Sequence, residues 1–426
     1  MTRRPALKIT LVVVAVLAAA GIAIAVAIPG EAEVARRAEQ ALTEKLGVPV
    51  HIGRLHWQLL PTPMVEVFDA TTEQDKPVVI KHLAAWPRIG RLLHREIAFD
   101  RVTLNGATIP QLSVKAFKQG DGDDGKDPKD KFLRLAGQPL QRAEFHKVTW
   151  IGRREIPLEF DGSVDFDPAW RPREAALWLT EAQSPARLEL HRIESQDRFK
   201  TDITVADGSW NGTLELTQPT PDTWRIAGPL QPRNIDLRLL LETFKRKPVI
   251  AGRANGETTL QAEGQSLGDI VQSLHTRTTF SVNPATILRF DLDRAIRSLG
   301  KEHQGTTPLQ TLTGVLDTQN DSDGIVMRYS ALKAKSGALS ASGTVVLQNR
   351  KVDADIAVDL VDGVIGVPLR ITGPVTDPTY SVPPAAIAGA AVGTAVLPGV
   401  GTAIGARIGD ALGRLFGTDK KPARSP

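Results

Sequence analysis

The chain has 426 residues, 42% of them hydrophobic and 23% charged, which is the composition of a polypeptide that folds rather than one that stays solvated. Its net charge of +4 is too small over this length to argue for nucleic acid, and no nucleic-acid partner is expected. Cysteine is absent, which excludes a disulfide framework and a thiolate metal site and is compatible with either redox compartment.

Residues 1–8 form a basic tail with Arg3, Arg4 and Lys8, and residues 9–28 follow as an uncharged apolar run in which Thr10 is the only polar side chain. At 1.5 Å per residue, about twenty residues cross a hydrocarbon core of roughly 30 Å. The run therefore reads as a transmembrane anchor carried by Ile9, Leu11, Val12, Val16, Leu17, Ile22, Ile24 and Ile28. Basic residues stay on the cytoplasmic side, so the N-terminus is expected inside and the body after Pro29 outside. A cleaved signal peptide is the alternative, because Ala25-Val26-Ala27 looks like a small-residue cleavage site. The apolar core is longer than the roughly 7–15 residues of such peptides. Either reading exports the body.

Glu31 to Leu46 has the spacing of an amphipathic helix, through Val34, Ala38, Ala41, Leu42 and Leu46, and Gly47 and Pro49 stop it. Strands come next. Val50 and Ile52 alternate in one phase and Leu55, Trp57 and Leu59 in the other, so a bulge is expected at Gly53. Pro61 and Pro63 end that segment. Further strands are expected at Val65–Val67, Val78–Ile80 and Ile97–Ile109, with Asn105-Gly106 as a turn signal and a short helix over Ile89–His94. Residues 119–131, QGDGDDGKDPKDK, are a polar loop. Its acidic spacing faintly resembles a calcium loop, but Lys126 replaces the required Gly and Phe132 the bidentate Glu, so it reads as a solvated linker.

Between Phe132 and Tyr380, short alternating runs recur between Gly, Asn-Gly, Asp-Gly and Pro signals. Examples are Leu158–Gly162, Trp210–Leu216, Thr258–Ala262, Ala341–Leu347 and Ala354–Leu360. Alternation of this kind predicts an antiparallel sheet that is wet on one face. Helices are expected only at Leu267–His275 and Leu292–Leu299. No strict repeat is visible, and the pattern fits either a two-sheet sandwich or an open curved sheet.

Residues 383–417 carry small residues at every fourth position. Ala385, Gly389 and Gly393 form one set and Gly401, Gly405, Gly409, Gly413 and Gly417 another, with Leu397-Pro398-Gly399 between them. Such spacing puts each set on one helical face and lets another helix approach closely. A glycine-zipper hairpin and a flexible Ala/Gly tail are the two readings. Residues 418–426 read as a disordered basic end.

No HExxH, GxSxG or Walker A pattern occurs. His51 and His56 are five apart on an expected strand, a spacing that opposes them across the sheet unless a bulge intervenes. Asp353, Asp355 and Asp359 read as a solvated strand edge, and Trp57, Trp150 and Trp178 as packing or groove-lining residues. Trp170-Arg171-Pro172-Arg173 is a candidate interfacial loop. No catalysis, metal or cofactor is expected.

Two stretches resemble the AsmA family of bacterial envelope proteins. The first is the anchor followed by LTEKLGVPVHIGRLHWQLLP, residues 42–61, and LLHREIAFDRVTLNGATI, residues 92–109. The second comprises AGRANGETTLQAEGQSLGDIVQSL from Ala251, FDLDRAIRSL from Phe290, the Gly-marked strands of Leu312–Leu360, and VPLRITGPVTDPTYSVP from Val367. The order of these segments carries the likeness, which is weak between about residues 120 and 245. Asn283-Pro284 departs from the family's Asp-Gly turn.

The resemblance implies a mainly β fold: an anchor helix, then an elongated, curved antiparallel sheet of chorein type with few short helices. It divides the body into an N-terminal region, 31–118, and a sheet region, 132–382. It also implies a protein tethered in the bacterial inner membrane, its body periplasmic, that handles phospholipid in outer-membrane biogenesis. The partners it implies are the bilayer, phospholipid acyl chains and envelope-assembly proteins. Val345, Leu347, Ile356 and Val358 are the candidate groove residues. A periplasmic scaffold built on a closed sandwich is the alternative.

Overall fold

The computed structural model describes residues 30–117 and 134–381, apart from positions 195, 221–222, 266, 298–301, 321–323, 338 and 360–366. The expected anchor at 9–28, the polar loop at 119–131 and the glycine set at 383–417 lie outside the described residues. Among the described residues, no helix is long and apolar enough to cross a membrane.

The fold is mainly β: one long, curved, unclosed sheet with few helices. Its first half contains β1 (Val50–Gln58), β2 (Met64–Thr72), β3 (Val79–Pro87), β4 (Glu96–Pro110), β5 (Arg134–Ile151), β6 (Pro157–Phe166), β7 (Pro172–Leu179), β8 (Arg187–Arg192), β9 (Arg198–Val205) and β10 (Gly208–Thr220). The second contains β11 (Thr223–Arg233), β12 (Ile235–Asp236), β13 (Ile250–Gly264), β14 (His275–Ile287), β15 (Thr307–Leu309), β16 (Thr311–Asn320), β17 (Ile325–Ser336), β18 (Leu339–Gln348), β19 (Lys351–Asp359), β20 (Val367–Pro374) and β21 (Thr379–Ser381). The helices are α1 (Glu31–Leu46), α2 (Ile89–Leu93), α3 (Gln111–Ala116), α4 (Leu237–Thr243), α5 (Leu267–Gln272) and α6 (Leu292–Arg297). The helix expected over 267–275 is shorter than its pattern, because His275 already opens β14.

Strands pair in chain order. The exceptions are β11 and β12, which together pair with β13, and β15 and β16, which together pair with β14. This meander is antiparallel throughout except at one place. β4 and β5 run parallel, from Glu96 beside Arg134 to Pro110 beside Ile151. That corrects the expectation of a purely antiparallel sheet. A parallel pair needs a crossover of about a dozen residues or more, and the segment 111–133 is long enough to supply one. Two of the antiparallel links are tight hairpins. Ala206-Asp207 and Asn349-Arg350 both have positive φ at both residues, the conformation of a two-residue hairpin turn.

Helix α1 presents Val34, Ala38, Leu42 and Leu46 in an i,i+4 stripe, all at most 6% exposed. They pack on Val50, Ile52, Leu55, Val65 and Val67. At roughly 1.5–3 kcal/mol for each large side chain buried, this stripe stabilises the first corner of the sheet substantially. Gly47, at φ 69°, ends the helix and donates its N–H to the Thr43 carbonyl at 2.9 Å, the left-handed C-terminal cap that glycine favours. Glu39 and Thr43 also serve the sheet. They accept the N–H groups of Ile52 at 2.7 Å and Val50 at 3.1 Å, which lie on the open edge of β1.

The phase change at Gly53 belongs to several strands. Asp69 at φ 55° separates Val67 from Ala70, Gly106 at φ 65° separates Leu104 from Ala107, and Lys147 at φ 51° separates Phe145 from Val148. By the pairing register these residues sit level with Gly53 and Lys81. Matching extra residues in adjacent strands keep the pairing unbroken while restoring apolar residues to one face. At β6 the matching ends and the register shifts. There Asp161 accepts the Lys147 N–H at 2.6 Å. Asn105-Gly106 is therefore not a turn but part of this row inside β4. Asn283-Pro284, a cis peptide, is likewise an irregularity inside β14, opposite the shift between Gly252 and Ala254.

Candidate functional site

Tracing the register across the sheet places apolar residues on one face of every long strand. Phe145 and Val148 lead to Phe160 and Val164, then to Leu177, Leu188 and Leu190, and on to Leu214, Ile226 and Leu260. The line continues through Phe280, Leu316, Tyr329, Val345 and Ile356. The opposite face of the same strands is polar and exposed, as at Glu215, Thr217, Arg225, Glu257 and Gln261. Between its bulges each of these strands thus keeps period-2 alternation.

This apolar face is covered at particular places only. Helix α1 covers β1–β4. Leu239 and Leu240 of α4, with Phe244, pack on Val205, Ala206 and Ile235. Leu292 of α6 packs with Val358 and Leu369 beside Phe290 and Tyr380. In between, Phe160, Leu177, Leu190, Leu214, Ile226 and Leu316 remain half-buried, whereas Tyr329 is enclosed enough that burial pushes its phenol pKa up. Among the described residues every strand belongs to this one unclosed sheet, so no second sheet covers the face as in a sandwich. At about 4.8 Å per strand, the line from β5 to β18 runs roughly 50 Å along the sheet.

Large side chains fit on this face because glycines sit opposite several of them. Phe145 faces Gly162, where a Cβ would lie 2.3 Å from its ring. Ile356 faces Gly343, where a Cβ would come within 2.2 Å of the Asp355 carbonyl. This pairing is the residue-level signal that a reading of single strands misses.

The four expected groove residues share the apolar face but differ in burial. Val345 lies between Tyr329 and Ala354, Leu347 between Met327 and Val352, and Ile356 between Gly343 and Leu369; all three are half-buried. Val358 is fully buried in the α6 cluster. The anchor and glycine-zipper residues lie outside the described residues.

The remaining candidates divide between the two faces. Asp353 and Asp355 lie 3.4 Å and 3.6 Å from Arg370. His51 bonds Glu73 at 2.8 Å and His56 bonds Glu31 at 2.7 Å, so the two histidines serve separate carboxylates. Among the described residues no group of three or more metal-ligating side chains occurs. Trp150 is on the apolar face beside Leu158, Trp57 packs against the α1 cluster, and Trp178 is on the polar face under the Arg187 guanidinium, 5.3 Å from its ring.

Trp170 belongs to a corner rather than a free loop. Its ring lies 6.2 Å from Phe166. Asp167 accepts the Arg171 N–H and an Arg192 Nη1 hydrogen bond, each at 2.9 Å, and Arg192, its side chain 3% exposed, also binds Asp197. Burial opposes the charge of Asp167, but the Arg171 backbone bond and the Arg171 and Arg192 guanidinium groups outweigh it and hold the carboxyl below its usual range.

Comparison with family models, with curated proteins and with solved structures finds no match to this chain.

Proposed function

We propose that the chain is an AsmA-like protein, anchored in the bacterial inner membrane with its body in the periplasm, that carries phospholipid acyl chains along its apolar sheet face during outer-membrane biogenesis. The observation that carries this reading is the uncovered apolar band between β5 and β18. Half-buried Phe, Leu and Ile side chains recur along about 50 Å of this face, and a contiguous apolar face without a covering layer marks a ligand or partner site. A lipid tail gains about 0.8 kcal/mol for each methylene removed from water. One leaflet of hydrocarbon is about half of a 30 Å core, so the band accommodates several tails end to end. The polar opposite face keeps the body soluble while the apolar face is loaded.

The mechanism needs no chemistry. Tails move along a band of similar side chains without a step through water, and the strand-to-strand spacing sets the length of each displacement. The test is to purify the full-length protein, extract it with organic solvent and measure phospholipid by mass spectrometry. Near-stoichiometric phospholipid is expected. A lipid-free preparation that also fails to take up phospholipid from vesicles refutes the reading.

A further inference from the structure

The hairpin between β1 and β2 ends in the most exposed large apolar side chain among the described residues. Leu60 is 83% exposed and its neighbour Leu59 43%. From Trp57 to Val65 no residue carries a charge. Pro61 and Pro63 have no backbone N–H to satisfy, and Gln58 donates its Nε2 hydrogen bond to the Thr62 carbonyl at 3.2 Å. The tip therefore presents few unmet polar groups when water is removed from around it. Single exposed leucines are ordinary on soluble surfaces, but two at the tip of an uncharged hairpin make a protruding apolar point.

This tip stands beside the place where the chain enters the fold. Helix α1 lies antiparallel along the open edge of β1. Thr43 is bonded to Val50 at 3.1 Å, Glu39 to Ile52 at 2.7 Å and Glu31 to His56 at 2.7 Å. The first turn of α1 is thus level with the end of β1 that carries the tip. Ile28, the last residue of the apolar run, precedes Glu31 by three residues, so chain length alone keeps the two within about 11 Å.

We infer that the β1–β2 hairpin tip, through Leu59 and Leu60, inserts into the headgroup–acyl boundary of the bilayer that anchors residues 9–28. A run that crosses a bilayer and ends three residues before Glu31 holds the start of α1 at the membrane surface, and the Glu31–His56 bond holds the tip beside it. The leucines then exchange water for an apolar environment, as the apolar face of an interfacial helix does. A second contact besides the anchor fixes the tilt of the sheet against the membrane, which one tether alone leaves free. The inference rests on the membrane anchoring proposed above and not on the carriage of lipid.

The chain has no cysteine, so a label can be confined to one residue. Full-length L60C and L112C, each carrying a polarity-sensitive nitrobenzoxadiazole group, are reconstituted into phosphatidylcholine vesicles with and without brominated acyl chains. Leu112 is the control. It is also exposed, at 47%, but it follows the far end of β4, on the opposite margin of the sheet. The L60C label is expected to shift to shorter wavelength and to lose emission to bromine, and the L112C label to do neither. An L60C label that stays aqueous, on protein that floats with the vesicles, overturns the tip contact and keeps the anchor. Protein that does not float with the vesicles overturns the anchor and the tip contact with it. Bromine quenching at both positions means that the body lies on the bilayer without selecting the tip, and overturns the inference. A shift at L60C without bromine quenching assigns the tip to a second copy of the chain and overturns it as well.

Discussion

Val345 and Val358 share one face of the sheet, yet they are expected to respond in opposite ways to a carboxylate. Val358 is 0% exposed and packed with Leu292 and Leu369. V358E forfeits roughly 1.5–3 kcal/mol of side-chain burial, and an unpaired buried charge adds several kcal/mol more. The sum, about 5 kcal/mol, is comparable with the whole stability of many domains at about 5–15 kcal/mol. Val345 is half-buried, between Tyr329 and Ala354. V345E forfeits about half of a valine's burial, and its carboxylate reaches water across the uncovered face, so its cost is about 1 kcal/mol. Urea unfolding followed by tryptophan fluorescence reports both. Phospholipid recovered per molecule of V345E should fall markedly even though the fold survives. A V345E protein as destabilised as V358E would mean that another layer packs on the band, and the reasoning above would fail.

Three further outcomes test the framework around that band. G162V places a side chain against the Phe145 ring and the Ala176 carbonyl, with a backbone contact that cannot relax cheaply; a loss of about 1–3 kcal/mol, the cost of overpacking, is expected in the same unfolding assay. E39A combined with T43V strips the side-chain acceptors from the Ile52 and Val50 N–H groups. It should cost about 1–3 kcal/mol and promote self-association through the β1 edge, visible by light scattering. D167N tests the Arg192 corner through pH. The folded pKa of Asp167 is depressed, so its contribution is fully present above the unfolded value of about 3.9 and is lost as pH falls through the depressed folded value. The variant should be less stable than wild type at pH 7, with the difference shrinking below about pH 4; an equal gap at both pH values argues against ionisation as the cause.

The alternation of apolar and polar residues was enough to define most of this protein. Period-2 runs such as Thr258–Ala262 and Ala354–Asp359 commit each strand to one apolar and one polar face, because successive side chains point to opposite sides of a pleat. The α1 stripe from Val34 to Leu46 and its stop at Gly47 were equally legible, since helix spacing and a left-handed cap are local properties. Gly53 announced its phase change for the same reason.

What required the tertiary structure is everything that depends on which strand meets which. The parallel register of β4 on β5 is set by a crossover, not by either strand's own pattern. Asn105-Gly106 has the local signature of a hairpin turn, but Lys81 and Lys147 on the flanking strands absorb it into a continuous row. Val345 and Val358 look alike in sequence, and only α6, folding back from Leu292, buries one and leaves the other half open.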